Sequence, residues 1–208
     1  MIRIVIADDH TIVREGLKQM LSSVDFTIVG EASNSHEVIA RTRELEFDVL
    51  LLDMSMPGRS GIELIRQVKS EKPGLRVLVL SMHEEEQYAV RSIRAGASGY
   101  LTKETASAQL VSAIRKVASG GAFITPAVAE QLALGAMPHT AGPPHSALSD
   151  REFQVMRMLV AGKSITDIAG ELNLSVKTVS THKTRLMLKM GMANQADLIR
   201  YALDNNLT

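Results

Sequence analysis

A chain of 208 residues carrying 23 basic and 23 acidic side chains is long enough to bury one large core or two small ones. Its lack of cysteine excludes disulfides and zinc-thiolate sites and fits a reducing cytoplasm. The apolar runs are too short to span a bilayer, and Met1-Ile2-Arg3-Ile4 lacks the charged-then-apolar start of an export signal, so the expectation is a cytoplasmic protein with no membrane partner.

Ile2 to Ala7 reads as a strand closed by Asp8-Asp9. Thr11 to Ser22 then places Ile12, Val13, Leu17, Met20 and Leu21 at helical spacing. The cycle repeats with a strand at Phe26 to Gly30, a helix from Asn34 with Glu37 completing a capping box, a strand at Val49 to Leu52, and a helix from Ser60 with Glu63 in the same role. Arg76 to Leu80 gives a fourth strand and Glu84 to Ala95 its helix; Gly99 to Thr102 gives a fifth, followed by a helix from about Ala106 to Ser119. Strict alternation of five strands and helices predicts a doubly wound, flavodoxin-like parallel α/β sheet. The run Val49 to Leu52 is apolar without alternation, as a central strand covered on both faces must be.

Such a sheet binds ligands at the carboxyl ends of its strands, where the winding direction reverses. The residues at those ends are Asp8, Asp9, Asp53, Ser81 and Lys103. Carboxylates converging within about 4 Å repel by about 4 kcal/mol per pair at an effective dielectric near 20, so they need a cation or a proton. Hard oxygen donors suit Mg2+. A lysine and a hydroxyl at the same rim make sense only toward an anion, most simply a phosphoryl group. The set is therefore arranged to form an acyl phosphate on Asp53. Asp9, Asp53 and the Ser55 backbone carbonyl would ligate Mg2+, Asp8 would act through water, and Ser81 and Lys103 would clamp the phosphoryl oxygens.

Asp8-Asp9, Asp53 followed by Met56-Pro57-Gly58 and Gly61, Ser81 and Lys103 together resemble the receiver domain of bacterial two-component response regulators, over residues 1 to about 120. The resemblance implies that Asp53 takes its phosphoryl group from a sensor histidine kinase. It also implies that Tyr100, three residues before Lys103, swings inward when the phosphate draws on Ser81. Ser55 and His83, two residues beyond Asp53 and Ser81, would tune the lifetime of the phosphate. Where many receivers have proline after the lysine this chain has Glu104, so no cis bond is expected there.

Residues 122–147 read as a linker. Thr125-Pro126 starts a short helix running to Leu134, and Met137 to Ser146 is rich in breakers and poor in apolar residues. His139 and His145 in that tether are taken as bystanders.

Residues 148–208 show four capped helical signals, led by Ser149 with Glu152, Ser164 with Asp167, Ser175, and Asn194 with Asp197. The second and third are separated only by Asn173-Leu174-Ser175, the spacing of a helix-turn-helix. This part carries 8 Lys/Arg against 6 Asp/Glu, whereas residues 1–125 carry 15 against 16. Lys177, Lys183, Arg185 and Lys189 lie between Val176 and Ala196 with no acid among them, a local cationic patch. On the third helix Val179, Leu186 and Met190 share the inward face, leaving Lys177, Thr181, Thr184 and Leu188 opposite. Leu148 to Glu152, Gly162 to Ala169, Leu174 to Val179 and Thr181-His182 resemble the LuxR-type helix-turn-helix of NarL-class regulators. By that resemblance Ser180, Thr181 and Thr184 reach base edges, while Lys177, Thr178, Lys183 and Arg185 meet phosphates. The expectation is a phosphorylation-switched transcription regulator that binds promoter DNA as a dimer and is not an enzyme. An aspartate-nucleophile phosphatase is disfavoured because Ser55 stands where that family has a second aspartate, and a flavodoxin-like cofactor binder because Asp8, Asp9 and Asp53 would repel a bound phosphate without metal.

Overall fold

A computed structural model describes the chain except residues 23–24, 58, 83–85, 135–142, 206 and 208, and the side chains of 86 and 106–108. It divides into two compact units, residues 1–134 and 135–208. In the first, strands β1 (Ile2–Ala7), β2 (Phe26–Ala32), β3 (Val49–Asp53), β4 (Arg76–Ser81) and β5 (Gly99–Thr102) form one parallel sheet in the order β2-β1-β3-β4-β5. They alternate with helices α1 (Thr11–Leu21), α2 (Ser35–Glu44), α3 (Gly61–Glu71), α4 (Glu86–Arg94) and α5 (Lys103–Ala118).

The sheet sorts its side chains to two cores. Ile4, Ile6, Val49, Leu51, Leu78 and Leu80 face Leu17 and Leu21 of α1 and Leu110, Ala113, Ile114 and Val117 of α5. Val5, Leu50, Leu52, Val77 and Val79 face α2, α3 and α4 through residues such as Val38, Ile65, Val68 and Val90. Every residue of β3 is buried, which is why the sequence there cannot alternate. Caps fall where the sequence places them: Asn34 accepts from the Glu37 amide, and Ser60 from the Glu63 amide. The fifth helix starts earlier than expected, at Lys103, because the Thr102 side chain accepts from the Thr105 amide and ends the strand and caps the helix in one residue. No cis peptide bond occurs among the described residues.

The expected linker is taken up at both ends. Phe123 forms a parallel bridge with Gly99, its carbonyl accepting from the Tyr100 amide at 2.9 Å and its amide donating to the Ser98 carbonyl at 3.0 Å. Only glycine tolerates that approach, since a Cβ at position 99 would meet the Phe123 oxygen at 2.9 Å. Helix α6 (Pro126–Leu134) then packs on the first unit, with Val128 buried in the cluster that holds Ala89, Val90 and Tyr100. Gly135, His139 and most of the breaker-rich stretch lie outside the described residues.

The second unit contains a 3-10 turn (Pro144–Ala147) and helices α7 (Asp150–Val160), α8 (Ile165–Glu171), α9 (Val176–Met190) and α10 (Gln195–Asp204). Ser149 with Glu152 and Ser164 with Asp167 form reciprocal capping boxes, and Ser175 and Asn194 cap α9 and α10. Asn173, at φ 52, makes the left-handed turn between α8 and α9, a conformation asparagine tolerates. His145 corrects the sequence reading. It is buried, its Nδ1 lies 2.7 Å from the Tyr201 hydroxyl, and its ring packs near Phe153. The breaker residues around it hid a core position, because an apolar pattern cannot reveal a histidine satisfied from another helix.

Candidate functional site

Sheet register assembles the rim of the first unit. Ala7 pairs with Leu52, Asp53 with Leu80, and Ser81 with Thr102. The next residues along, Asp8 and Lys103, therefore flank Asp53 and Ser81 at the carboxyl edge, at the point where the strand order reverses between β1 and β3. Asp8, Asp53 and Ser81 are buried, and Asp9 and Lys103 half-buried. Ser55 is exposed, two residues past Asp53. The neighbouring loop is held at the start of α2, where the Ser35 amide donates to the Pro57 carbonyl and the Ser35 hydroxyl accepts from the Arg59 amide.

Lys103 Nζ lies 2.6 Å from Asp8 Oδ2 and 3.2 Å from Asp53 Oδ1. Burial works against its charge, yet the hydrogen bond to Asp8 and the charges of Asp53 and Asp8 outweigh that, and its pKa is raised. Burial pushes the Asp53 carboxyl above its usual range, against the pull of Lys103, with the charges of Asp8 and Asp9 adding to the push. Neither Asp53 carboxylate oxygen is in a hydrogen bond, so Lys103 offers proximity without bonding geometry. Two buried, unbonded oxygens beside two further aspartates are the donor set a hard divalent cation completes. Asp8, Asp9, His10 and Asp53 bring one donor atom each within 4.8 Å of one another. His10 is the member that sequence reasoning missed. Its Nδ1 lies 2.8 Å from Asp9 Oδ1, and its place directly after the aspartate pair was the available signal. Tyr100 is buried in the cluster shared by α4 and α6. His83 lies outside the described residues.

In the second unit α8, the turn at Asn173 and α9 form the helix-turn-helix. Val179, Leu186 and Met190 are buried; Lys177, Thr181, Thr184, Arg185 and Leu188 are exposed, and Thr178, Ser180 and Lys183 half-buried. The four-cation patch is reduced. Lys189 Nζ lies 2.6 Å from Oε2 of the buried Glu152, so its charge is spent inside the unit. Lys183 does reach along the surface, to Gln195 Oε1 at 2.8 Å, and keeps its charge uncompensated by that amide. The Thr178 hydroxyl is 2.7 Å from that of Ser175, at the cap.

Residues 4–115 match the response regulator receiver domain family, and residues 146–202 the luxR family of bacterial regulatory proteins. Response regulator GacA of Pseudomonas viridiflava is 36% identical across 100% of this chain and 98% of its own. Response regulator UvrY of Escherichia coli (strain K12) is 35% identical across 100% and 96%. Among solved structures, RcsB from Salmonella enterica serovar Typhimurium, bound to promoter rprA in the presence of the phosphomimetic BeF3-, superposes with a TM-score of 0.67 at 31% identity, over 97% of this chain and 98% of that one. With a rim that assembles the receiver's acidic site in the first unit and a helix-turn-helix in the second, this chain belongs to the response regulators that join a receiver domain to a LuxR-type domain, a family of phosphorylation-switched transcription regulators.

Proposed function

We propose that Asp53 is the phosphoacceptor of a cytoplasmic DNA-binding regulator that takes its phosphoryl group from a sensor histidine kinase and binds promoter DNA as a homodimer. The observation that carries this reading is the rim itself: one register places Asp8, Asp53, Ser81 and Lys103 together, with both Asp53 oxygens buried and outside any hydrogen bond. An Asp53 oxygen attacks phosphorus and the bond from phosphorus to the donor's imidazole nitrogen breaks, the electron pair leaving with the ring. Asp9, Asp53 and the Ser55 carbonyl would hold Mg2+, with Asp8 acting through water, and the bound ion would neutralise charge on the transferring group. Lys103, now shared between Asp8 and Asp53, would turn to a phosphoryl oxygen, and Ser81 to another. Tyr100, among α4 and α6 residues, would carry the change outward. Lys177, Thr178, Lys183 and Arg185 would meet phosphates, and Ser180, Thr181 and Thr184 base edges. RcsB bound to a promoter supports the second half by likeness.

The test is incubation with a small acyl-phosphate donor and Mg2+, with mass spectrometry to locate the added group and DNA retention to follow binding. Asp53 should be labelled and retention should rise. Label elsewhere, or catalytic turnover of an added phosphomonoester, would replace this reading with another.

A further inference from the structure

Thr181 and Thr184 face outward on α9, and both have turned their hydroxyls back onto the helix. Thr181 Oγ1 donates to the Lys177 carbonyl at 2.9 Å, and Thr184 Oγ1 to the Ser180 carbonyl at 3.0 Å. A hydroxyl has one proton, and here each is committed to a carbonyl four residues back. Neither side chain then has a donor left for guanine N7 or O6 or adenine N7; what each still offers a base edge is an oxygen lone pair, suited only to the amino group of adenine or cytosine, and the γ-methyl. Leu188 continues the apolar character along the same face and is 76% exposed, against the usual fate of leucine. At about 100° per residue, Lys177, Thr181, Thr184 and Leu188 fall within about 60° of one another, so they form one stripe. Lys177 at its start and Arg185 beside it are exposed and suited to phosphates.

Among base edges in the major groove, only thymine presents an apolar group, its C5-methyl. We propose that α9 reads thymine methyls, with Thr181 and Thr184 acting as methyl donors to an apolar contact rather than as hydroxyl readers, so that the half-site is selected for thymine beneath these two residues. This rests on the reading of α9 as a DNA-recognition helix and specifies what that helix recognises. The N-terminal part of a recognition helix approaches base edges first, which assigns the thymine contacts to Thr181 and Thr184 and leaves Leu188 at the margin of the groove.

The experiment selects duplexes from a random-sequence pool with the full-length protein, then replaces each thymine of the selected half-site in turn by deoxyuracil, which removes only the methyl. Binding is measured for the native protein, for Thr181→Val and Thr184→Val, which keep the methyl and lose the hydroxyl, and for Thr181→Ser and Thr184→Ser, which do the reverse. The valine variants should bind within about 2-fold of the native protein, while each serine variant and each matched deoxyuracil loses about 4-fold, the scale of one buried methyl. A serine variant on its matched deoxyuracil duplex should lose no more than either change alone, because both remove the same contact. Valine variants as weak as the serine ones, or deoxyuracil without effect at every thymine, would overturn the proposal. A pool that yields no enriched duplex would sink the DNA-binding reading itself, and this inference with it.

Discussion

Asp53 is the residue on which folding and function pull in opposite directions. Its carboxyl is buried beside Asp8 and half-buried Asp9, and burial first, then those charges, holds its pKa above the usual range despite Lys103. A raised carboxyl pKa means that the folded state binds the proton more tightly than the unfolded one. Ionised Asp53 therefore costs stability at neutral pH, and that cost fades as pH falls from the folded pKa toward the unfolded value. Asp53→Asn removes the charge in an isosteric side chain. It should abolish labelling by an acyl-phosphate donor and, in Mg2+-free buffer at pH 7, stabilise the protein by about 1–3 kcal/mol, the scale of an unsatisfied buried polar group. Urea midpoints with and without Mg2+ check this: the ion should raise the native midpoint and close the gap to the variant. A variant no more stable than the native chain without the ion would show that Lys103 already offsets the charge.

At the scale of elements, the second unit is held by a contact that crosses from the first turn of α7 to the last turn of α9. Glu152 is at once the capping-box partner of Ser149 and the acceptor of Lys189. Burial raises the Glu152 pKa, but Lys189 and the Ser149 bonds outweigh it, and the net position is below the ordinary glutamate value. The sign follows: its contribution is fully present above the unfolded pKa and is lost as pH falls through the lower, folded one. Glu152→Ala should destabilise the second unit by about 2–3 kcal/mol at pH 7, combining a lost cap with a broken charge-assisted bond. The difference from the native protein should be constant between pH 6 and 8 and shrink in acid, as chemical unfolding of the whole chain would record. A constant difference into acid would assign the effect to packing instead. The capping boxes behind this element were legible in the sequence, because Ser149-x-x-Glu152 and Ser164-x-x-Asp167 are local patterns. The Lys189 contact was not, since it joins residues 37 apart.

For the whole molecule, that contact changes the expected salt dependence. The sequence offers four cations on α9; with Lys189 spent on Glu152, Lys177, Lys183 and Arg185 remain. One unit should then neutralise about three phosphates, giving a log-log salt slope near −3, and two units on one duplex a slope near −5 to −6. Holding two units together makes the second contact intramolecular and adds roughly 100-fold without new contacts. The prediction is that phosphorylation, measured on a two-half-site duplex at low protein concentration, steepens the slope from the first value to the second and tightens binding. Complete labelling with slope and affinity unchanged would show that the switch does not act by pairing.

Alternation of apolar runs with capped helices was sufficient, from the sequence alone, to determine the parallel sheet and the residues at its carboxyl edge, because the period of apolar residues and the caps are local properties of the chain. Asp8, Asp9, Asp53, Ser81 and Lys103 could be named in that way since each ends a strand or lies within two residues of a strand's end. Tertiary structure alone decided what is set by distance in space rather than in sequence. His10 joins the acidic cluster, His145 is buried against Tyr201, the short linker helix α6 packs on the first unit, and Lys189 is spent on Glu152. Each depends on a partner supplied by another element, and a contact between residues distant in the chain leaves no periodicity for a sequence to show.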